Sequence, residues 1–518
     1  MSSLQQLQNG SDIRGIAIST TDYEANLTEK EIPSIVSGII HWARQTQENK
    51  YQNGRLTIGI GRDSRISGET LVNAFIQSAR EQGVNLIDFG LATTPAMFMS
   101  TQFEMFKCDI GIMITASHLP YYFNGIKIFS AVSGAEHDDI DYILSHTTPN
   151  TNGRIGTIKT DDILTPYAQD LVQKIKNGMQ TTDETPLKNM HIIVDAGNGA
   201  GGFFVDKVLG ALGANTAGSQ FLEPDGTFPN HIPNPDNKEA MESIKEAVIR
   251  HQADLGIIFD TDVDRSAIVT KSGHLLNRNN LIAGLSQIVL REHPHSTIVT
   301  NSPTSSHLKV FIEHLGGKQC RYISGYRNVI NKAIQLNKDG VNCPLAIETS
   351  GHAAFKENYF LDDGAYVIAK CLMLLPTLIQ QGKTFDDLIS TLKQPVETLE
   401  VRFKLSGQHF KEQGQRVIQD LENTKIDGFQ IDYENEEGVR FNITSPYGNG
   451  WFLLRLSLHE PLLVLQIEND EMGFMPSVLK TLHHFFNQFD FVNQEKLRVH
   501  LNEENKLMPI YQKWRTNA

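Results

Sequence analysis

The sequence predicts an α/β protein: three related α/β domains with mixed, largely parallel sheets and a smaller C-terminal α+β domain, set around a central cleft. Three observations carry this expectation. The chain has 518 residues, enough for about three to four domains at roughly 150 residues each. Short apolar runs that end in polar loops alternate with segments of helical spacing, which is the grammar of parallel α/β units. After about Lys393 that grammar gives way to two long apolar runs around a turn. The expected domains are 1–155, 156–270, 271–390 and 391–518.

The elements follow in order. "LTIGIGRDS" reads as a strand ending in a polar loop at Gly61, "ETLVNAFIQSAREQG" as a helix stopped at Gly83, and "VNLIDFG" as the next strand. "CDIGIMITASH" is a strand running into a loop, and "HTTPNTNGRIG" is a loop that marks the first boundary. "MHIIVDAGNG" and "ADLGIIFDTD" repeat the strand-then-loop pattern, the second ending in carboxylates. "STIVTNSPTSSHLKVFIEHLGG" is strand, loop and helix, and "CPLAIETSGH" is a strand ending in a polar loop. "GWFLLRLSLHEPLLVLQIE" reads as two strands around a turn, followed by a helix near Met475 to Asn487. Loops at the carboxyl ends of parallel strands are where α/β domains bind ligands.

Composition narrows the function classes. Forty per cent of residues are hydrophobic and 20% charged, ordinary for a globular chain and unlike collagen, a coiled coil or a disordered protein. The net charge of −14 argues against a general nucleic-acid binder but leaves room for an anionic small substrate, which responds to the local field. Cys108, Cys320, Cys343 and Cys371 show no CxxC or close pairing, which argues against disulfides and zinc and for a reduced, cytoplasmic protein. The polar Met1–Gly10 stretch lacks a signal core. The longest apolar run, near Tyr366 to Ile379, contains Lys370 and Pro376, so no membrane partner is expected.

Several loops carry chemistry. "DTDVDR" puts Asp260, Asp262 and Asp264 at alternate positions on one tight loop, where they repel one another unless a cation lies between them. Hard oxygen ligands suit Mg2+ or Ca2+, and Arg265 and Lys271 stand where an EF-hand needs Gly and Glu. "TASHLPYYFNGIK" offers Ser117 as a nucleophile beside His118 and Lys127, outside any GxSxG elbow. "ETSGH" supplies Glu348, Ser350 and His352, a hydroxyl-binding set for a polyol. "RLSLHEP" supplies Arg455, Ser457 and His459, suited to a phosphate. Gly197, Gly199 and Gly202 have GxGxxG spacing, but Asp195 just before them and the Pro-rich "EPDGTFPNHIPNP" after them favour a structural turn or a phosphate-facing loop over a dinucleotide site.

Taken together and in this order, the four loops resemble those of the α-D-phosphohexomutase superfamily, which includes phosphomannomutases and phosphoglucomutases. That family has a TASHNP serine loop, a DGDGDR metal loop, an ExSGH sugar loop and an RxSxTEP-like phosphate loop. "SDIRGI", "GRDSR", "DAGNGAGG", "PDGTFPNHIPNP" and "GYR" also match in order, so the resemblance spans about Ser11 to Pro461. It implies a phosphohexomutase that interconverts hexose 1-phosphate and hexose 6-phosphate, of glucose or mannose, through a phosphoserine at Ser117 and a sugar 1,6-bisphosphate. Asp260, Asp262 and Asp264 with Ser117 would hold Mg2+, and Arg14, His118 and Lys127 match positions beside the serine, with Lys127 or His118 taking the hydroxyl proton. Arg265 would steady the transferred phosphate or hold the domain interface. Gly325, Tyr326 and Arg327 with Glu348, Ser350 and His352 would bind the sugar, and Arg455, Ser457 and His459 the non-reacting phosphate.

The chain departs from the pattern at named places. Leu119 replaces Asn, Thr261 and Val263 replace the glycines of the metal loop and stiffen it, and Leu456, Leu458 and His459 alter the phosphate loop. These departures mark a divergent branch and keep three alternatives in view: a sugar 1,6-bisphosphate synthase, a phosphoglucosamine mutase and a non-catalytic sugar-phosphate binding protein. The expected partners are small-molecule sugar phosphates. A dehydrogenase would require the GxGxxG turn to bind a dinucleotide.

Overall fold

Buried on both faces, the runs Thr57–Arg62 and Ile110–Ile114 have no solvent side to alternate toward, so each reads as a continuous apolar stretch. They pair in parallel with each other, and Asn85–Leu91 pairs in parallel on the other side of Thr57–Arg62. The computed structural model describes residues 3–407, 409–457 and 460–501. It forms two compact units, Met1–Val289 with Pro344–Ser390, and Leu290–Cys343 with Thr391–Ala518.

In the first unit, a seven-stranded sheet runs in the order Gln8–Asn9, Asp12–Ile16, Phe123–Ser130, Ile110–Ile114, Thr57–Arg62, Asn85–Leu91, Ile158–Thr160. The strand Phe123–Ser130 is antiparallel to both of its neighbours, which brings Lys127 and Arg14 to one region of the sheet. The sheet extends past residue 155 to the exposed strand Ile158–Thr160, whose "IKT" carries no hydrophobic pattern. The helices Ile32–Gln52 and Gly68–Glu81 bury Ile35, Ile39, Ile40, Leu71 and Phe75 in the same core.

A second sheet in this unit has the order Leu275–Leu276, Ser266–Thr270, Leu255–Phe259, Ile192–Asp195. Only its last pair is parallel, so the hairpin Leu255–Thr270 turns back on itself at Asp260–Arg265 and thereby forms the acidic loop. Leu345–Ile347, Ala353–Phe355 and Leu361–Asp362 make an antiparallel meander, followed by the helix Gly364–Gln380.

In the second unit, Thr297–Asn301 and Lys318–Tyr322 pair in parallel beside the helices Ser306–His314 and Tyr326–Lys338. The antiparallel sheet of the C-terminal part runs Glu397–Lys404, Leu462–Asn469, Gly450–Leu456, Val439–Ile443, Phe429–Ile431. Phe403, Phe452, Leu465 and Phe486 fill its core, the last from the helix Met475–Phe486. No helix of the described residues is long and apolar enough to cross a membrane.

The GxGxxG glycines are used up inside the protein. A Cβ at Gly199 would lie 2.6 Å from the Thr261 carbonyl oxygen, and one at Gly202 would lie 2.4 Å from that of Leu222. The turn is braced by Asp195, which accepts from the Gly197 N–H at 2.8 Å and from Gln220 Nε2 at 2.7 Å. His231 Nε2 lies 3.0 Å from both Asp195 oxygens, and its Nδ1 lies 3.0 Å from the Ile232 carbonyl oxygen. Both ring nitrogens thus face acceptors, which fits a doubly protonated imidazolium. Burial works against that charge, but the hydrogen bond and charge of Asp195 outweigh it, so the His231 pKa is raised.

A group with a raised folded-state pKa stabilises the fold fully below its unfolded value, and that stabilisation fades as pH rises through the folded value. The stability margin of wild type over His231→Gln is therefore expected to be largest below pH 6.5 and to shrink above it. Paired melting curves across that range check the sign; a margin that grows with pH overturns the ion pair.

Candidate active site

Ser117 sits in a loop whose shape is imposed by one arginine. After the strand Ile110–Ile114 the backbone turns, and Ser117 takes a left-handed φ of +52° with its side chain buried. Arg65 Nη1 donates to the carbonyl oxygens of Pro120 at 2.8 Å and Phe123 at 3.0 Å. Arg65 Nη2 donates to the carbonyl of Leu119 at 2.5 Å and to that of Ser117. The planar fork of a guanidinium can serve this many acceptors at once. Asp63 completes the brace: its Oδ2 accepts from Thr115 Oγ1 at 2.7 Å, and Thr115 Oγ1 accepts from the Ser117 N–H at 2.9 Å. Burial pushes the Asp63 carboxyl up to about 6 despite Arg65 and Thr115. Gly226 lets the "PDGTF" segment lie against the stretch that carries Arg65, since a Cβ there would be 2.5 Å from Ile66 N and Ser64 O.

The hairpin turn after Leu255–Phe259 brings three buried carboxylates to the serine. Ligand oxygens of Asp260, Asp262 and Asp264 all lie within 4.8 Å of one another. Ser117 Oγ donates to Asp260 Oδ2 at 2.9 Å and accepts from Arg265 Nη2 at 2.9 Å. Arg265 also pairs with Asp260 at 3.1 Å. Thr94 binds Asp262 twice, through its hydroxyl to Oδ2 and through its N–H to the backbone oxygen at 2.9 Å. Lys127 Nζ lies 3.4 Å from Asp264 and 3.2 Å from Asp12, and Asp12 in turn pairs with Arg14 at 2.9 Å. Val263 holds the loop at φ +66° with its side chain fully buried, a conformation that costs a non-glycine residue about 1–2 kcal/mol. The loop is anchored by the Gly364 N–H, which donates to Val263 O at 3.0 Å.

Charge is distributed unevenly over the cluster. Burial, Asp264 and Asp262 push the Asp260 carboxyl well up, with Arg265 opposing. Burial and Asp264 also raise Asp262. Asp264 goes the other way: burial would raise it, but Lys127, His352 and Arg265 together hold it low. At Asp12, burial is likewise outweighed by Lys127 and Arg14, and its carboxyl is held low.

Asp262 Oδ1 and Asp264 Oδ1 are buried and accept no hydrogen bond. Orphaned carboxylate oxygens in a dry site are costly, and a divalent cation with a preference for oxygen would satisfy both. With the Ser117 hydroxyl and Asp260 beside them, these residues fit such an ion.

The remaining loops of the first unit converge on the same point. Arg265 Nη2 donates to His118 Nδ1 at 2.6 Å, so that nitrogen is an acceptor and the ring is neutral. Burial lowers the His118 pKa, helped by Arg265, Arg14 and His352. An isolated antiparallel bridge pairs Arg265 with His352, which seats the "ETSGH" loop on the acidic loop. His352 Nδ1 lies 3.2 Å from Asp362 Oδ2; burial lowers its pKa, but Asp362 and Asp264 outweigh burial and raise it. Within that loop the Glu348 N–H donates to His352 O at 2.8 Å, and Ser350 Oγ donates to Glu348 Oε2 at 3.4 Å.

The other sequence-derived residues belong to the second unit. Gly325, with φ +115°, caps the helix Tyr326–Lys338, so Tyr326 and Arg327 form its first turn. Arg327 Nη2 donates to Asn331 Oδ1 at 3.3 Å. Arg455 lies near the end of the strand Gly450–Leu456, and the Ser457 N–H donates to Leu462 O at 2.9 Å. His459 lies outside the described residues. Sequence reasoning missed Asp12, Arg65 and Thr94 as individual residues. The first two sit within "SDIRGI" and "GRDSR", whereas Thr94 has no signal beyond an N-terminal helix position.

Two outcomes are expected. Arg65→Lys loses the fork and leaves carbonyls of the serine loop unpaired, so stability falls by about 2–4 kcal/mol in chemical denaturation. A divalent cation raises the melting temperature of the wild type. Asp262→Asn relieves repulsion, so it melts higher than the metal-free wild type yet shows a smaller shift with the ion; an undiminished shift places the cation elsewhere.

Models of three consecutive phosphoglucomutase/phosphomannomutase domains match this chain: α/β/α domain I over residues 5–182, domain II over 166–273 and domain III over 277–395. A phosphomannomutase/phosphoglucomutase of Pseudomonas syringae pv. tomato is 31% identical over 438 residues, covering 82% of this chain and 86% of that protein. A phosphoglucomutase of Neisseria gonorrhoeae is 29% identical over 436 residues, covering 81% and 86%. The crystal structure of a phosphoglucomutase/phosphomannomutase family protein from Burkholderia thailandensis shares the fold, with a TM-score of 0.76 at 24% identity over 93% of this chain and 97% of that one. The serine loop, acidic hairpin and "ETSGH" loop that meet around Ser117 are thus carried on a chain that belongs to the phosphoglucomutase/phosphomannomutase family.

Proposed function

We propose that this chain is a phosphohexomutase that interconverts hexose 1-phosphate and hexose 6-phosphate, with glucose or mannose as the sugar, through phospho-Ser117 and a sugar 1,6-bisphosphate. The observation that carries the reading is Ser117 Oγ itself, hydrogen-bonded at 2.9 Å to both Asp260 and Arg265 at the mouth of three buried carboxylates. The relatives named phosphomannomutase/phosphoglucomutase and phosphoglucomutase support the same reaction class.

In this reading Asp260, Asp262, Asp264 and Ser117 hold Mg2+, which when bound offsets charge that develops on the transferred phosphoryl group. A sugar hydroxyl attacks the phosphorus of phospho-Ser117, the bond from phosphorus to Oγ breaks, and Oγ keeps the electron pair. Arg265 Nη2 already donates to that oxygen and stabilises it. Lys127 in its neutral amine form carries the proton: it takes it from the attacking hydroxyl in the first transfer, becoming the ammonium that pairs with Asp12 and Asp264, and returns it to the departing sugar oxygen in the second. Asp12 and Arg14 fix the position of Lys127, and neutral His118 offers an Nε2–H to the phosphoryl oxygens. Glu348, Ser350 and His352, with Tyr326 and Arg327, bind the sugar hydroxyls. Arg455 and Ser457 anchor the phosphate that is not reacting, and a fixed far end supplies orientation.

Phosphorus NMR tests the proposal. Glucose 1-phosphate or mannose 1-phosphate, supplied with Mg2+ and a trace of glucose 1,6-bisphosphate, is expected to convert to the 6-phosphate. Ser117→Ala should reduce that conversion at least about a thousandfold, because no group remains to accept the phosphoryl. Conversion that survives the substitution overturns the phosphoserine route.

A further inference from the structure

Glu437 stands between two loops of the second unit that the proposed function assigns to substrate. Its Oε2 accepts from the Ser324 N–H at 3.2 Å, from Ser324 Oγ at 2.7 Å and from Ser302 Oγ. Ser324 directly precedes Gly325, Tyr326 and Arg327. The other oxygen, Oε1, lies 3.7 Å from Arg455 Nη1, and the two side chains are 8% and 19% exposed. The carboxylate is therefore held from one side by hydroxyl and amide donors and faces the Arg455 guanidinium with the other.

The backbone makes this placement deliberate. Gly438 follows Glu437 with φ +60°, and a Cβ there would lie 2.1 Å from Leu454 O and 2.8 Å from Arg455 Cα. Only glycine lets the chain rest on the Arg455 strand so closely. Register then fixes the pairing, with Val439 opposite Leu454. A carboxylate beside the arginine of a phosphate anchor reduces the attraction the anchor can offer, because a phosphate must compete for the same charge.

We infer that Glu437 is an internal counter-anion: it holds Arg455 when no substrate is bound, and the non-reacting phosphate of the substrate displaces it. The inference rests on the reading of Arg455 as the phosphate anchor. It gives that anchor a built-in release. A bisphosphate that must turn around between two transfers has to leave each phosphate site once per cycle, and an anion waiting to retake Arg455 favours that departure. The three donors on Oε2 keep Glu437 in place while Arg455 is occupied, so the carboxylate does not follow the guanidinium onto the substrate.

Steady-state kinetics of the full chain with glucose 1-phosphate, and inhibition by inorganic phosphate, test this. Glu437→Gln keeps the shape and removes the charge. It is expected to lower both KM and the phosphate inhibition constant about two- to fivefold, with kcat unchanged or reduced. A merely structural role predicts the opposite sign, so an unchanged or raised KM and inhibition constant overturns the inference. Arg455→Met should raise both constants, and adding Glu437→Gln to it should change neither further; an additional decrease in the double variant also overturns the inference. If Arg455→Met leaves both constants at their wild-type values, the anchor assignment itself fails, which separates the two readings. Should Glu437→Gln not fold, Glu437→Asp, which withdraws the carboxylate by one methylene, is expected to shift both constants in the same direction by less, and no decrease overturns the inference.

Discussion

Three carboxylates in one buried hairpin turn are a debt of charge that the surrounding structure is organised to meet. Lys127 and Arg14 arrive from neighbouring strands of the first sheet and are set by Asp12, Arg265 closes the acidic turn itself, and Thr94 secures Asp262 from the start of the helix Thr94–Met99. The protein's own cations hold the Asp264 carboxyl low but leave Asp260 and Asp262 raised toward their protonated forms. That imbalance is what a divalent ion would correct, and it makes cation binding and domain docking parts of one electrostatic problem. Remove the repulsion and much of the reason for the arrangement of the basic residues disappears.

The serine loop obeys a different rule. Its shape comes from backbone carbonyls gathered by one buried guanidinium. A loop built this way can hold Ser117 at a left-handed φ with its Oγ between Asp260 and Arg265. The acidic loop pays a similar conformational cost at Val263, yet does so with a stiff side chain where glycine would move freely. Both loops therefore arrive at the reaction already shaped, which is the condition for electrostatic stabilisation without rearrangement.

Much of this could be read from the sequence because the relevant signals are local. Strands such as Ile110–Ile114 and Leu255–Phe259 are buried on both faces and so print as unbroken apolar runs, and the loops after them carry Ser117 and the three carboxylates. What escaped reading was long-range. Thr94 meets Asp262 across 168 positions, and Arg65 meets the serine loop across more than 50, so no window of sequence contains either pair. The exposed strand Ile158–Thr160 was hidden for the opposite reason: with every side chain facing solvent it has no hydrophobic period to detect. The GxGxxG spacing misleads in the direction of a nucleotide because glycines needed for close packing against Thr261 and Leu222 look the same as glycines needed for a pyrophosphate.

The bond from Ser117 Oγ to Asp260 spans 143 positions and joins loops that follow strands of two separate sheets. Each sheet can acquire its strands and helices from its own stretch of chain, but neither alone contains a chemically complete centre. A chain that ends before the acidic hairpin presents Ser117 without its Asp260 partner, and a hairpin released from the first sheet presents carboxylates without Lys127. The cluster of hydroxyl, carboxylates and amine thus exists only in a chain whose two sheets have docked.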